Sequence, residues 1–249
     1  MKKVIAGGGF IILFSFMVLA QENTEKAVEL NNRGVAEFGR KDYAASIEAL
    51  KKAVALQPAY ATAFYNLGTS YFYAGEIENS IAALRQAIKL HPHYRAAYNQ
   101  LGVVYLELGQ NQKAIDALGE AIRLRQNDAI ALYNLGCAYI REGKFNEAIA
   151  WLEKAKPLDE KNAEIRVNLG YAYSRLSQVD NALAEFESAA KIDPNDEQTL
   201  LHLGDLYLRT NNRQAAIEQY ARLKERNPKL ADQLYQAIYR GRVIAASKR

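Results

Sequence analysis

One glycine recurs along the chain at a fixed interval of 34 residues. The six copies are Gly34, Gly68, Gly102, Gly136, Gly170 and Gly204. Self-similarity at a period of this size is typical of proteins built from stacked supersecondary repeats, each of which buries its apolar face against its neighbours. With this glycine as position 8, the six repeats are residues 27–60, 61–94, 95–128, 129–162, 163–196 and 197–230.

Further positions of each repeat fall into the same register, and they predict two helices per repeat. Position 7 is leucine and position 11 is tyrosine in repeats two to six, and position 20 is alanine or serine throughout. Positions 4, 7, 8 and 11 share one face of a helix, and positions 20, 24 and 27 share one face of a second helix. Position 15 carries glycine, serine or asparagine in repeats two to six, and these residues tolerate the left-handed conformation at a helix end. Proline at position 32, in repeats one, two, five and six, is expected to end the second helix.

This register resembles that of the tetratricopeptide repeat family over residues 27–230. The resemblance implies an all-α fold, a right-handed α-solenoid of six helix-turn-helix repeats. Repeat one matches least well, and terminal repeats are commonly atypical because one side faces solvent. Residues 231–249 follow as a capping helix with a basic tail, in which Leu234, Tyr235, Ile238 and Tyr239 form an apolar stripe. About thirteen helices are therefore expected, two per repeat and one cap.

The first twenty residues have the pattern of an export signal. Lys2 and Lys3 precede an apolar run, Val4–Ala20, which ends in small residues suited to cleavage before Gln21. The alternative is an uncleaved membrane anchor, but the run includes three consecutive glycines and is shorter than the ~20 strongly apolar residues of a typical span. We expect residues 1–20 to be a signal peptide cleaved near Ala20 and residues 21–26 to be a linker. The mature chain is then periplasmic or secreted.

The first helix of each repeat carries a polar side chain at position 6. These six residues are Asn32, Asn66, Gln100, Asn134, Asn168 and His202. In tetratricopeptide repeat proteins the first helices line the concave side, so the resemblance places this ladder in the groove. It resembles the ladder in the repeat domain of the O-linked N-acetylglucosamine transferase, which holds substrate chains in this way. An amide both donates and accepts hydrogen bonds, so the ladder either grips a peptide backbone or ties neighbouring helices together.

Aromatic and basic residues extend this candidate partner-binding surface. Position 5 adds Tyr65 and Tyr133, whose rings beside the amides suit a peptide or an amphipathic helix. Position 13 adds Arg141, Arg175 and Arg209, a basic strip for carboxylates or phosphates. The alternative for the arginines is exposed charge at the end of a helix, where the helix dipole favours cations.

Candidates for catalysis and metal binding are weak. His91 and His93 flank a proline in a loop, but a metal site needs three or four converging ligands, and no further ligand is near in sequence. Cys137, the single cysteine, is interpreted as a small buried apolar residue rather than a reactive thiol. The motifs of phosphate-binding loops, zinc proteases and nucleophile elbows do not occur. We predict no catalytic residues, no metal and no cofactor.

Positive charge is concentrated at the C-terminal end. Residues 222–249 hold eight basic and two acidic residues, whereas residues 21–220 hold 22 basic and 26 acidic residues. The slightly acidic body argues against nucleic-acid binding. The basic end is interpreted either as a solvated helix or as a contact for an anionic membrane or partner.

Together these features predict a non-enzymatic scaffold that binds a peptide or helix of a partner protein in its concave groove. Two alternatives stay open. One is a cell-envelope assembly factor that docks to membrane or wall polymer through its convex face or its basic end. The other is the recognition subunit of an enzyme complex. The oligomeric state and the identity of the partner are open as well.

Overall fold

The computed structural model describes the backbone of residues 6–240 and the side chains of residues 19–240. Within these residues there are thirteen α-helices, one short 3-10 turn and no β-strand, so the predicted all-α class is confirmed. The helices are α1 (Ala6–Gly39), α2 (Tyr43–Leu56), α3 (Ala61–Tyr73), α4 (Ile77–Leu90), α5 (Arg95–Glu107), α6 (Asn111–Leu124), α7 (Ala129–Arg141), α8 (Phe145–Ala155), α9 (Ala163–Arg175), α10 (Val179–Ile192), α11 (Glu197–Arg209), α12 (Arg213–Arg226) and α13 (Pro228–Arg240).

The chain divides into two compact halves. The N-terminal half, Met1–Leu124, contains α1–α6, and the C-terminal half, Arg125–Arg249, contains α7–α13. Within each half, the two helices of one sequence repeat pack together more extensively than helices of successive repeats do. Each 34-residue repeat is therefore one helical hairpin, and each half holds three of them.

Close packing inside each hairpin explains the glycine at position 8. A Cβ atom added to Gly136 would lie 2.5 Å from Cγ of Leu152, and one added to Gly102 would lie 2.5 Å from Cγ of Leu118. Both leucines occupy position 24 of their repeats and are completely buried. Because a side chain at position 8 would overlap the leucine, only glycine lets the two helices come this close with the leucine between them.

The turn inside each hairpin places the residue at position 15 in the left-handed conformation. The positive φ angles at this position run from 59° to 81°. Five of the six residues are of the predicted types, and Lys41 in repeat one is the exception. The six residues are Lys41, Gly75, Gly109, Gly143, Ser177 and Asn211. The predicted left-handed residue at the end of the first helix is thus confirmed in repeats two to six, and repeat one has the same turn at Lys41.

Tyrosines at position 11 join a hairpin to the hairpin before it. In three of the five repeats with this tyrosine, the phenolic oxygen bonds to the side chain at position 25 of the preceding repeat, on its second helix. The bonded pairs are Tyr105 with Arg85 (2.8 Å), Tyr173 with Glu153 (3.1 Å) and Tyr207 with Glu187 (2.9 Å). The ring fills the space between hairpins, as its periodicity predicts, and the hydroxyl adds a polar tie at the edge of the interface.

The first helix is longer than the repeat pattern predicts. Because α1 runs unbroken from Ala6 to Gly39, residues 21–26 are helical and do not form the expected linker. Most of the predicted signal peptide, residues 1–20, lies outside the residues with described side chains, and its cleavage stays a prediction. Among the helices of the described part of the chain, none is both long enough and apolar enough to cross a bilayer.

The last helix, α13, covers the final hairpin. Leu234 is completely buried in a cluster with Leu200, Leu223 and Ile238. A Cβ atom added to Gly204 would lie 2.5 Å from Cδ2 of Leu234. In repeat six, therefore, Leu234 of α13 packs against the glycine at position 8. In the earlier repeats the side chain at position 24 makes this contact.

The start of α13 differs from its predicted start at residue 231. Pro228, which was expected only to end α12, is the first residue of α13, and Oδ1 of Asn227 accepts from the backbone N–H of Leu230 at 3.2 Å. Proline suits the first turn of a helix because its missing N–H is not needed there. The basic tail beyond Arg240, with Arg242, Lys248 and Arg249, lies outside the described residues.

Candidate functional site

In the N-terminal half, the position 6 amide of repeat two braces the first helix of repeat one. Nδ2 of Asn66 donates to Oδ1 of Asn31 at 2.8 Å, and Nδ2 of Asn31 lies 3.5 Å from Oδ1 of Asn32. Asn31 is buried and Asn32 is exposed. Asn66 therefore ties two helices together, whereas Asn32 faces solvent and its contact with a ligand stays a prediction.

The equivalent link in the C-terminal half joins Asn168 to Tyr133. Nδ2 of Asn168 lies 3.4 Å from the phenolic oxygen of Tyr133 and donates to the main-chain carbonyl of Glu164 at 2.9 Å. The hydroxyl of Tyr133 donates to the carboxylate of Glu164 at 3.0 Å. These bonds use the Nδ2 hydrogens of Asn168, whereas its Oδ1 carries two lone pairs that can accept from a ligand. The amide can thus brace α9 and still meet a partner.

A cavity of about 530 Å³ lies in the C-terminal half, on the side of the first helices α7, α9 and α11. Four of the predicted partner-binding residues line it together: Arg141, Asn168, Arg175 and His202. The other lining residues are Ile140, Gly143, Phe145, Val167, Tyr171 and Gln198. Its volume falls within the range of roughly 300–1,000 Å³ that is usual for ligand pockets. We call it the first-helix cavity.

Aromatic rings hold the guanidinium of Arg175 at the wall of this cavity. Its Nη1 donates to the phenolic oxygen of Tyr171 at 2.8 Å. The guanidinium carbon lies 4.8 Å from the ring centroid of Phe145, within the range of a cation–π contact. The imidazole of His202 stacks on Phe186, with 5.0 Å between ring centroids. The contacts of Arg175 with Tyr171 and Phe145 hold an exposed cation against aromatic rings, and arginine both stacks on such rings and recognises carboxylates.

The remaining predicted residues lie outside this cavity. Arg209 donates from Nη1 to the hydroxyl of Ser174 at 3.3 Å, so the position 13 arginines are not all equivalent. Asn134 on α7 is half-buried. In the N-terminal half, Gln100 on α5 is half-buried, and the ring of Tyr65 packs 5.2 Å from that of Tyr94.

The thiol of Cys137 is held in its protonated form. Burial raises the pKa of Cys137 to about 11, although a hydrogen bond with Tyr133 opposes this shift. Since the thiolate is the reactive species, little of it is present near neutral pH. The low reactivity agrees with a packing role, although Cys137 is half-buried rather than buried as predicted.

The histidine pair of the loop after α4 belongs to no cluster of metal ligands among residues 19–240. His91 and His93 are both exposed, and the ring of His91 contacts that of Tyr94 at 5.6 Å. Among the described residues, no group of three or more His, Cys, Asp or Glu side chains is arranged to hold a metal ion.

Phe145, Tyr171 and Gln198 are among the residues of the first-helix cavity that were not predicted to bind a partner. Phe145 occupies position 17, which is the start of the second helix of repeat four, and its ring packs 6.2 Å from that of Tyr171. A signal existed in the sequence, because Tyr43 is also aromatic at position 17 and stacks on Tyr73 of the next repeat at 5.7 Å. Reading only the first helices for groove residues misses this contribution from the second helix.

Sequence models of the tetratricopeptide repeat match most of the chain. One model matches residues 65–123 and again 99–163, a second matches residues 34–73, and a third matches residues 175–240. No curated protein matches the chain.

Solved structures of repeat proteins are similar to the chain in fold. PilF of Pseudomonas aeruginosa is 20% identical with a TM-score of 0.78, over 87% of this chain and 99% of its own. PilW is 18% identical with a TM-score of 0.76, over 84% and 98%. YrrB is 24% identical with a TM-score of 0.65, over 76% and 99%. At these identities the likeness concerns the fold alone.

Proposed function

Because the chain belongs to the tetratricopeptide repeat family, we propose that it is a non-enzymatic scaffold that holds a peptide or helix of a partner protein against its first helices. The observation that carries this proposal is the first-helix cavity, into which four residues selected from the sequence converge. Convergent polar groups set in apolar walls are the usual composition of a binding site. The peptide-binding site for which the YrrB structure is described adds support from a protein of the same fold.

A role in assembly at a cell envelope is the second candidate. The observations that favour it are the export pattern of residues 1–20 and the similarity in fold to PilW, which is described as a type IV pilus biogenesis factor. This role is compatible with a scaffold, because an assembly factor also acts by holding other proteins. It differs in placing the contact at the convex face or at the basic end. Arg240, the last described residue of the basic end, is exposed.

Blocking the cavity tests the first candidate better than deleting the position 6 amides of the ladder. Replacement of Asn66 by Ala would leave the buried Asn31 without its partner and would destabilise the fold by roughly 1–3 kcal/mol. A loss of binding in such a variant would then have two explanations. A bulky side chain at the cavity wall blocks the cavity itself, and a measurement of thermal unfolding then separates blocking from loss of the fold.

We expect Gln198→Trp to abolish capture of partner proteins from an envelope extract, because the indole fills part of the first-helix cavity. The matched control is Ala184→Trp, which adds the same ring at an exposed position of α10, a second helix. Captured proteins are identified by mass spectrometry, and thermal unfolding verifies that both variants are folded. If Gln198→Trp captures the same proteins as the unmodified chain, the partner does not bind in this cavity.

A further inference from the structure

The charged groups that line the first-helix cavity are all positive. Its lining includes the guanidinium groups of Arg141 and Arg175, both on exposed residues, and no carboxylate belongs to the described residues that line it. Glu142 and Asp205, which lie beside or on the same helices, are not among the lining residues. Two neighbouring cations at a partly enclosed surface raise the local potential and favour an anionic ligand.

The contacts of Arg175 suit its guanidinium group to bind a carboxylate. Arg175 uses Nη1 for its bond to Tyr171, and the rest of its five N–H donors stay available in the fixed plane of the guanidinium. Packing on Phe145 and Tyr171 restricts the side chain, so less conformational entropy is lost when an anion binds. Arginine held in this manner binds carboxylates in a bidentate, planar geometry.

Apolar surface lies directly beside the two arginines. Ile140, Val167 and the ring of Phe145 line the same cavity, and Asn168 presents an amide next to them. The cavity volume, about 530 Å³, is more than one carboxylate group requires and leaves room for an adjacent side chain. An anion alone, such as free phosphate, would leave this apolar surface uncovered.

We infer that the first-helix cavity binds an acidic side chain, Asp or Glu, within an extended peptide, together with an apolar or aromatic side chain next to it. Arg141 and Arg175 hold the carboxylate, the apolar wall takes the neighbouring side chain, and Asn168 is placed to bond the peptide backbone. This inference rests on the proposed function and specifies the chemistry of the partner. It places the specificity in repeats four to six.

Selection from a random peptide library tests this inference. The peptides are displayed inside a loop of the carrier protein, so none has a free C-terminal carboxylate. The baits are the whole protein, the double variant Arg141→Gln with Arg175→Gln, and the double variant Lys161→Gln with Lys191→Gln. The second variant removes the same charge from exposed positions of the same half that do not line the cavity.

We expect the unmodified protein and the lysine variant to select peptides with Asp or Glu beside an apolar or aromatic residue. A selected peptide, synthesised with both ends blocked, is expected to bind the arginine variant about tenfold or more weakly. Its Glu→Gln or Asp→Asn copy is expected to show the same loss against the unmodified protein.

Three results would overturn the inference. Selected peptides without acidic enrichment would leave the scaffold function standing and reject only the acidic specificity. An empty selection would also reject it, and the blocking experiment at Gln198 would then decide separately whether partners bind in the cavity. Binding of phosphatidylglycerol vesicles through the same two arginines, with no peptide selected, would assign the site to a membrane surface instead.

Discussion

Replacement of Leu152 by Ala is expected to lower the free energy of unfolding by roughly 2–5 kcal/mol. Leu152 is completely buried between the two helices of its hairpin, directly against Gly136. The hairpin cannot close the resulting space by moving its helices together, because they are already in close contact around this glycine. Urea denaturation followed by circular dichroism measures the effect.

Changes at glycine provide the matched control for this packing. Gly136→Ala should destabilise the fold by roughly 1–3 kcal/mol through overlap with Leu152, even though alanine favours a helix by about 1 kcal/mol. Gly119→Ala, in α6, meets no atom within 4 Å and should be neutral or stabilising. In the Leu152→Ala background, Gly136→Ala should become stabilising because the added methyl group enters the vacated space. Additive effects of the two changes would contradict this account of the repeat glycine.

Leu234→Ala is the second change with a large expected effect, again roughly 2–5 kcal/mol. Leu234 is completely buried and lies against Gly204, so its loss opens the contact between α13 and repeat six. Because each hairpin depends on its neighbours, the weakened cap should also increase hydrogen exchange in α11 and α12. Denaturation and exchange measured by mass spectrometry report the two effects separately.

The control for the cap is Lys229→Ala, an exposed position on the same helix. It should change the stability by less than about 0.5 kcal/mol. If Leu234→Ala is as harmless as this control, α13 does not stabilise the final hairpin and the cap assignment is wrong.

The periodic part of the structure could be predicted from the sequence because it repeats. A glycine at position 8 and a leucine at position 24 contact each other in each repeat from one to four, so residues that recur in the sequence also pack together in the structure. The turn residues at position 15 follow for the same reason. Pro228 was harder to predict. A proline two residues after one helix can also begin the next helix, and the repeat pattern does not extend to α13, so it does not distinguish the two roles.

The candidate site was only partly predictable. The position 6 side chains were identified as groove residues, but a single sequence does not reveal that Asn66 donates to Asn31, one repeat and one residue earlier. Such a bond depends on the offset between two adjacent helices, which the spacing within one helix does not encode. The same holds for Phe145, which reaches the first-helix cavity from the start of a second helix.

The central claim is that a partner polypeptide lies against the first helices of repeats four to six. Photo-crosslinking tests it most directly, with a photoreactive phenylalanine in place of Tyr171 in the first-helix cavity or in place of Ala221, an exposed residue of the second helix α12. The account predicts covalent adducts with captured partner from position 171 and none from position 221. Adducts from position 221 alone would contradict it.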